Sequence, residues 1–505
     1  MKKNQFLAWS LMASMVAAPA FVACDDDDDD DAPATPTYNW SEDGGLKACD
    51  NLLFEGNVIG NGDQGFVFNG EQTLKKGTYT LKGWVYIADG ATLTIEPGTT
   101  IKGDKQTKAA LIVERGGKLF AKGSAKEPIV FTSEEAAGSR KPGDWGGLII
   151  CGKARNNQGE MQIEGGPRTK HGGENDADNS GVVSYVRIEF AGYPFAADKE
   201  INGLTLGSVG SGTQIDHVQV SYCNDDSFEW FGGTVNCNHL VSFRGWDDEF
   251  DTDNGFSGKV QYCLSVRDPR LADTSRSNGF ESDNCADGAS VTPYTTATFS
   301  NVTFIGPIGQ DEAFVNDESY INGGSVHPNN GSSLGKFQAA MHVRRSSRLS
   351  CFNSIAVGWP IGLIIDSEKG NTQALATEGN LKLNNIWFAG MELLGADCNK
   401  ATKDALYNYE TKEYDETKNS FSHDFFLAQK GNKQCDTKNL ALTSGDSKVG
   451  VNYMPSAGSA VLTAADFSDA LLVSGFEKVS YIGAFSDTDD WTEGWTEFDP
   501  QNAAY

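Results

Sequence analysis

The sequence predicts an all-β fold, a right-handed parallel β-helix (solenoid), and three observations predict it. Short runs of β-branched and aromatic residues alternate with Gly, Asn and Asp, and 57 glycines leave few helical patterns in 505 residues. Three alternating segments, Asp216–Ser221, Asn238–Phe243 and Val260–Ser265, follow one another at a constant offset of 22 residues, and a period in this range marks stacked coils. Turn sequences separate the runs; in Glu96-Pro97-Gly98-Thr99, proline fixes φ and glycine accepts the positive φ of a type II turn.

Taken from the amino terminus, residues 1–23 read as a secretory signal. Lys2 and Lys3 precede an apolar stretch from Phe6 to Ala20, too short for a membrane span. Small residues then lead into Cys24, and Asp25 to Asp31 follow. This resembles the lipobox of bacterial lipoproteins, which implies lipidation of Cys24. The acidic run is similar to the signal by which Bacteroidetes send lipoproteins to the outer face of the outer membrane. The implied location is lipid-anchored at the outer membrane and facing outward, and a solvated spacer is the simpler reading of the same aspartates. Residues 24–45 are too poor in apolar side chains to fold and read as a tether.

The solenoid is expected over residues 46–390. Further strands are read at Thr78–Ile87, Ala91–Ile101, Leu111–Phe120, Val183–Ile188, Ala297–Phe304, Leu349–Ala356 and Leu381–Phe388. Residues 391–505 break the pattern and read as an insertion and C-terminal cap. Short helices are expected at Lys403–Tyr414 and Ala464–Leu472, the second behind a capping-box spacing at Thr463 to Asp466. Two segments, Ala91 to Ile101 and Asp144 to Ala154, together with closing motifs at Tyr481 to Phe485 and Trp491 to Thr496, resemble a family of secreted and lipid-anchored β-helix proteins of Bacteroidetes. That family implies the fold and no common activity.

Charge narrows the function. The formal net charge is −28, and the body stays strongly acidic without the seven aspartates of the leader. Nucleic-acid binding is excluded, because it needs Lys/Arg to displace counterions; a polyanionic glycan needs an intervening cation. Nine cysteines beyond Cys24 show no CxxC spacing, which excludes a zinc finger. Several lie in apolar strand patterns and read equally as small core residues or as disulfide partners. Of six histidines, His217 and His239 share the 22-residue offset and are expected as a solvent-facing pair. No nucleophile elbow, Ser-His-Asp set or phosphate loop is present.

The same offset brings acidic residues into register. Asp225 falls on Asp247, Asp226 on Asp248, Glu229 on Asp251 and Phe228 on Phe250; Phe250-Asp251-Thr252-Asp253-Asn254 recurs as Phe280-Glu281-Ser282-Asp283-Asn284. Glu229, Asp251 and Glu281 form one column and Asp253 and Asp283 a second. Strands lie about 4.8 Å apart, so stacked carboxylates repel by about 1 kcal/mol in water and more when buried. Raised pKa values, basic neighbours or a cation must offset this. Oxygen-only donors suit Ca²⁺, the one candidate cofactor, with Glu229, Asp251, Asp253, Glu281 and Asp283 as its ligands. A turn ladder of Asp and Asn that caps local backbone is the alternative.

A catalytic reading has two forms. The fold resembles that of pectate lyases, whose stacked carboxylates hold Ca²⁺ against an acidic sugar while a basic residue removes a proton; Arg244, Lys259, Arg267 and Arg270 are near in sequence. Glycoside hydrolysis by two carboxylates about 5–9 Å apart is the other, and no catalytic residue is singled out. Phe228, Phe250 and Phe280 read as an internal stack, whereas Trp230 and Trp246 read as rings offered to a sugar. The expected function is binding of an extracellular polymer, a glycan. A Ca²⁺-dependent polysaccharide lyase and a protein-binding subunit of an outer-membrane uptake complex are the alternatives.

Overall fold

In a computed structural model, which describes residues 38–164, 168–196 and 199–505, the chain winds into a parallel β-helix. Among the described residues two long sheets run along the solenoid, one of 13 strands between Trp40 and Ala396 and one of 16 between Leu53 and Cys435. Every pairing between successive coils is parallel; the first strand, Trp40–Asp43, is antiparallel to Leu46–Cys49 and so covers the open edge. That hairpin begins inside the stretch expected to be a tether. Cys24, the signal segment and the aspartate run lie outside the described residues.

Glycine at the corners decides where strands end. The run read as Thr78–Ile87 is two strands, Thr78–Leu81 and Trp84–Ile87, parted at Gly83. There φ is +72°, and a Cβ would lie 2.1 Å from the Asp63 carbonyl oxygen, so no other residue fits. The Pro97-Gly98 turn parts Thr92–Ile95 from Thr100–Gly103, with Gly98 at φ +74° as a type II turn requires.

From Gly181 onward the coil simplifies. Lys118–Lys122 and Ile129–Ser133, on two faces of one coil, both pair with the single long strand Gly181–Glu189. The bend falls at Tyr185, φ +51°, and the equivalent residues His217, His239, Tyr262, Asn301, Asn353 and Asn385 all have positive φ. Each is skipped by the pairing ladder together with its partner, with no change of register across it, so the same left-handed bend is repeated coil after coil. Their side chains stack: Tyr185 on His217 at 4.2 Å, His217 on His239 at 4.4 Å, His239 on Tyr262 at 4.9 Å.

These rings are covered, which corrects the expectation of a solvent-facing histidine pair. Residues 464–505 do not close the end of the solenoid; they run back along it as a strap. Trp491 meets the His239 ring edge-on and Trp495 does the same to His217. Gln219 and Gln261 each clasp the strap twice, the amide nitrogen donating to the carbonyl of Glu497 or Glu477 and the amide oxygen accepting from the same residue's N–H, all at 2.8 Å. The strap ends at Tyr505, whose hydroxyl donates to Glu189 at 2.6 Å. Gln261→Ala is expected to cost about 1–3 kcal/mol through three lost hydrogen bonds, two to the strap and one to the Asn301 side chain. Faster amide exchange confined to residues 464–505 is the readout, and a uniform change across the coils would refute the clasp.

The end itself is closed by the insertion. Lys403–Tyr414, expected as helix, contains a hairpin of Leu406–Asn408 with Glu413–Asp415, because Lys412 at φ +59° turns the chain. The helix lies at Phe421–Ala428, where Phe426 stacks on Phe388 at 4.3 Å over the last coils. Ala464–Leu472 holds only a 3₁₀ turn at Ala470–Leu472, capped by Asp469 rather than Thr463. Solenoid strands continue past residue 390, at Leu393–Ala396 and Lys433–Cys435. All nine described cysteines are free thiols; eight are buried core residues and Cys435 is half-buried.

Candidate functional site: an acidic strip beside a basic cavity

The acidic columns lie on strands of the 13-stranded sheet. Phe228–Phe231, Phe250–Asp253, Phe280–Ser282 and Ala339–Val343 are successive neighbours. Phe228, Phe250 and Phe280 are paired in register and fully buried, an internal stack as expected. The alternation of a strand then turns the next residue outward, giving the row Thr205, Glu229, Asp251, Glu281, His342 across five coils. The expected column is real and lies on strands, not turns.

The turn ladder exists too, one step earlier in the coil. Asp226 accepts the Asp248 N–H at 2.8 Å, and Asp248 in turn accepts the N–H of Asn278. These two carboxylates therefore cap backbone as well as facing the column. Three overlapping triads bring carboxylate oxygens within 4.8 Å of one another: Asp225, Asp226 and Asp247; Asp226, Glu229 and Asp251; Asp248, Asp251 and Glu281. Burial first, and mutual repulsion second, hold Asp226, Glu229, Asp247, Asp248 and Asp251 well above the ordinary carboxylate pKa. Asp253 is pushed up to about 8 by burial and by Asp283.

Among the described residues ion pairs answer this charge at one end only; Arg267 acts on Asp247 from nearby but is itself paired with Glu249. Arg344 pairs with Glu281 and with Asp283, the latter at 2.9 Å, and Arg345 with Asp283 at 2.7 Å. His342, fully buried, lies 3.7 Å from both Glu281 and Asp366. Sequence reading missed all three, since they follow a loop of nearly 60 residues after Ser282; register on Glu281 was the signal that would have found His342. The four basic residues it did name serve elsewhere. Arg267 is buried against Glu249, Arg244 donates to the Tyr222 hydroxyl, Lys259 reaches the strap at Ser474, and Arg270 lies over Tyr320.

Trp230 and Trp246 are a correction. Both are 0 % exposed, Trp230 stacked on Phe256 at 5.3 Å and Trp246 donating its indole N–H to Asp273 at 2.9 Å. Trp230 follows Glu229 and so points inward by alternation; neither ring can meet a sugar.

Do the donors fit a divalent cation? Asp251 Oδ1, Asp247 Oδ1 and Asn202 Oδ1 are buried oxygens without a hydrogen-bond partner among the described residues, and the Asn202 amide itself donates to Glu229. Hard oxygen donors of this number suit Ca²⁺ and not a transition metal. Glu229 and Glu281 each meet Asp251 in a different triad, Glu281 while also paired with Arg344, whereas Asp283 is taken up by two arginines, and Asp253 caps the N–H of Asn254 at 2.5 Å.

The fold and the strip together define a parallel β-helix protein with an acidic face. The pectate-lyase-like β-helix domain family matches residues 65–426, and the chain belongs to it. No curated protein matches the chain. Among solved structures it is similar to the Dettilon tailspike protein, at 12 % identity and a TM-score of 0.23, over 66 % of this chain and 61 % of that one. A likeness at that level says nothing of ligand or activity.

Proposed function

We propose that this protein binds an extracellular glycan along the acidic strip, through Ca²⁺ held by Glu229, Asp251 and Glu281 with help from Asp226 and Asp248. The observation that carries the reading is the orphaned, buried Asp251 Oδ1 at the junction of two carboxylate triads. Nothing basic reaches Asp226 or Glu229 within ion-pair distance among the described residues, so a bound cation is the economical way to keep them ionised. Lipidation at Cys24 and display on the outer membrane complete the proposal; they rest on the leader alone.

A second reading, a Ca²⁺-dependent polysaccharide lyase, is favoured by Arg344 and His342 beside the carboxylates. Incubation with acidic polysaccharides in Ca²⁺ separates the two. Retention of the polymer without rise in ultraviolet absorbance is expected for a binding module, and a steady rise from unsaturated products would replace it with the lyase. Failure to retain any polysaccharide, with and without Ca²⁺, would end both.

A further inference from the structure

We propose that the cavity of about 350 Å³ next to the strip is a metal-independent subsite for an anionic sugar unit, one bearing a carboxylate or a sulfate ester. The inference rests on the glycan reading above and adds to it a second site with its own chemistry.

The cavity opens where the acidic row ends. Its rim is built by Arg344 and Arg345, which follow the strand Ala339–Val343, by Lys369, and by Lys412, Tyr407 and Tyr409 of the insertion hairpin. In a chain with 69 acidic against 41 basic residues, Arg344 and Arg345 are already paired with Glu281 and Asp283, so the cations the cavity adds are Lys369 and Lys412. Two carboxylates share its wall and have partners or burial of their own. Asp366 accepts the backbone N–H groups of Glu368 and Asn399 and faces His342, and burial, with Asp366 second, raises the pKa of Glu368. Lys412 and Lys369 form no ion pair among the described residues; Lys369 reaches only the Ala286 carbonyl, at 3.3 Å. These two ammonium groups are therefore available to an anion that enters.

The remaining walls suit a sugar ring. Tyr409 is fixed by its hydroxyl, which donates to the Asp397 carbonyl and accepts the Ser367 N–H. The half-buried Tyr407 packs edge-on against it at 5.2 Å. A volume of about 350 Å³ lies at the small end of ligand pockets, about 300–1,000 Å³, and so takes one unit of a chain rather than a long segment. Arg344 joins the two sites, since it lines the cavity and also grips Glu281 and Asp283. A guanidinium fork held from behind presents its remaining N–H groups in fixed geometry, the arrangement that favours planar carboxylates and sulfates.

The test is calorimetric titration of the full chain in chelator, with trigalacturonate, a sulfated trisaccharide and neutral cellotriose as probes. At least one anionic probe should bind and cellotriose should bind at least tenfold more weakly. The double variant Lys369→Ala, Lys412→Ala should weaken the anionic probe at least tenfold. Removing two remote surface cations, Lys122→Ala with Lys126→Ala, should change it less than twofold, which controls for net charge. The probe that binds decides between carboxylate and sulfate. Absence of anionic binding in chelator, or equal loss in both double variants, overturns the subsite. The strip is judged separately by the Ca²⁺ response of the melting temperature: a subsite that fails beside an intact Ca²⁺ response leaves the strip reading standing, and the converse result leaves the subsite standing.

Discussion

Phe250→Ala is expected to destabilise the protein by about 3–5 kcal/mol, the cost of emptying a buried phenylalanine site that cannot collapse. The ring is fully buried and touches four others, with centroids 5.6 Å away for Phe228, 6.1 Å for Phe280 and Phe304, and 6.2 Å for Phe299. Both sheets contribute to this cluster, so relaxation would have to move strands in two registers at once. A solenoid is coupled mainly through nearest-neighbour coils, which makes the damage local. Denaturant unfolding should show the lost stability, and hydrogen exchange should rise first in the strands carrying Phe228, Phe250 and Phe280. A loss below about 1 kcal/mol would mean the phenylalanine column does not fill the coil, and the outward orientation of Glu229, Asp251 and Glu281 would lose its support.

The offset that made this column legible also misplaced one strand. Asp216 pairs with Asn238 as expected, but Asn238 pairs with Gln261 rather than Val260, a step of 23. The turn after Asp253 has one residue more than the turn after Phe231, so the second sheet shifts while Glu229 stays opposite Asp251. Alternation held the answer: Val260 is buried and pairs with buried Cys237, whereas Asn238 is exposed, and a one-residue slip would have put Val260 on the solvent side. The strap was not legible for a different reason. Its contacts join residues far apart in sequence, as in Gln219 with Glu497, and no local period encodes which side chains of residues 464–505 meet which coil. Likewise the basic end of the site depends on Arg344 and Lys412 being brought together by an insertion, beyond the reach of a coil repeat.

Between pH 6.5 and 8 the protein in chelator should lose stability as pH rises, and excess Ca²⁺ should reverse the trend. Asp226, Glu229, Asp247, Asp248 and Asp251 hold protons more tightly folded than unfolded, and Asp253 does so up to about 8. Above the ordinary carboxylate range the folded state therefore binds more protons than the unfolded chain, and stability falls with pH until those groups ionise. Two histidines act the other way lower down. Burial lowers His171 to about 3 and His239 to about 4, so below pH 6.5 they add stability as pH rises and mask the carboxylates. At pH 6.5 the unfolded histidines are still about half protonated, and only above about 7.5 are they neutral in both states, so the carboxylate slope steepens across the window and stands alone at its upper end. A cation competes with protons for the same oxygens, so its contribution grows over that window and reaches about 2.7 kcal/mol at a concentration 100 times its dissociation constant. Melting curves at pH 6.5, 7.2 and 8 with chelator or Ca²⁺ measure both slopes. Asp251→Asn with Glu229→Gln should raise the melting temperature in chelator at pH 8 and remove the response to Ca²⁺. Identical melts at the three pH values in chelator would show that the strip's carboxylates are ionised at no cost, and with the cost goes the reason for a metal.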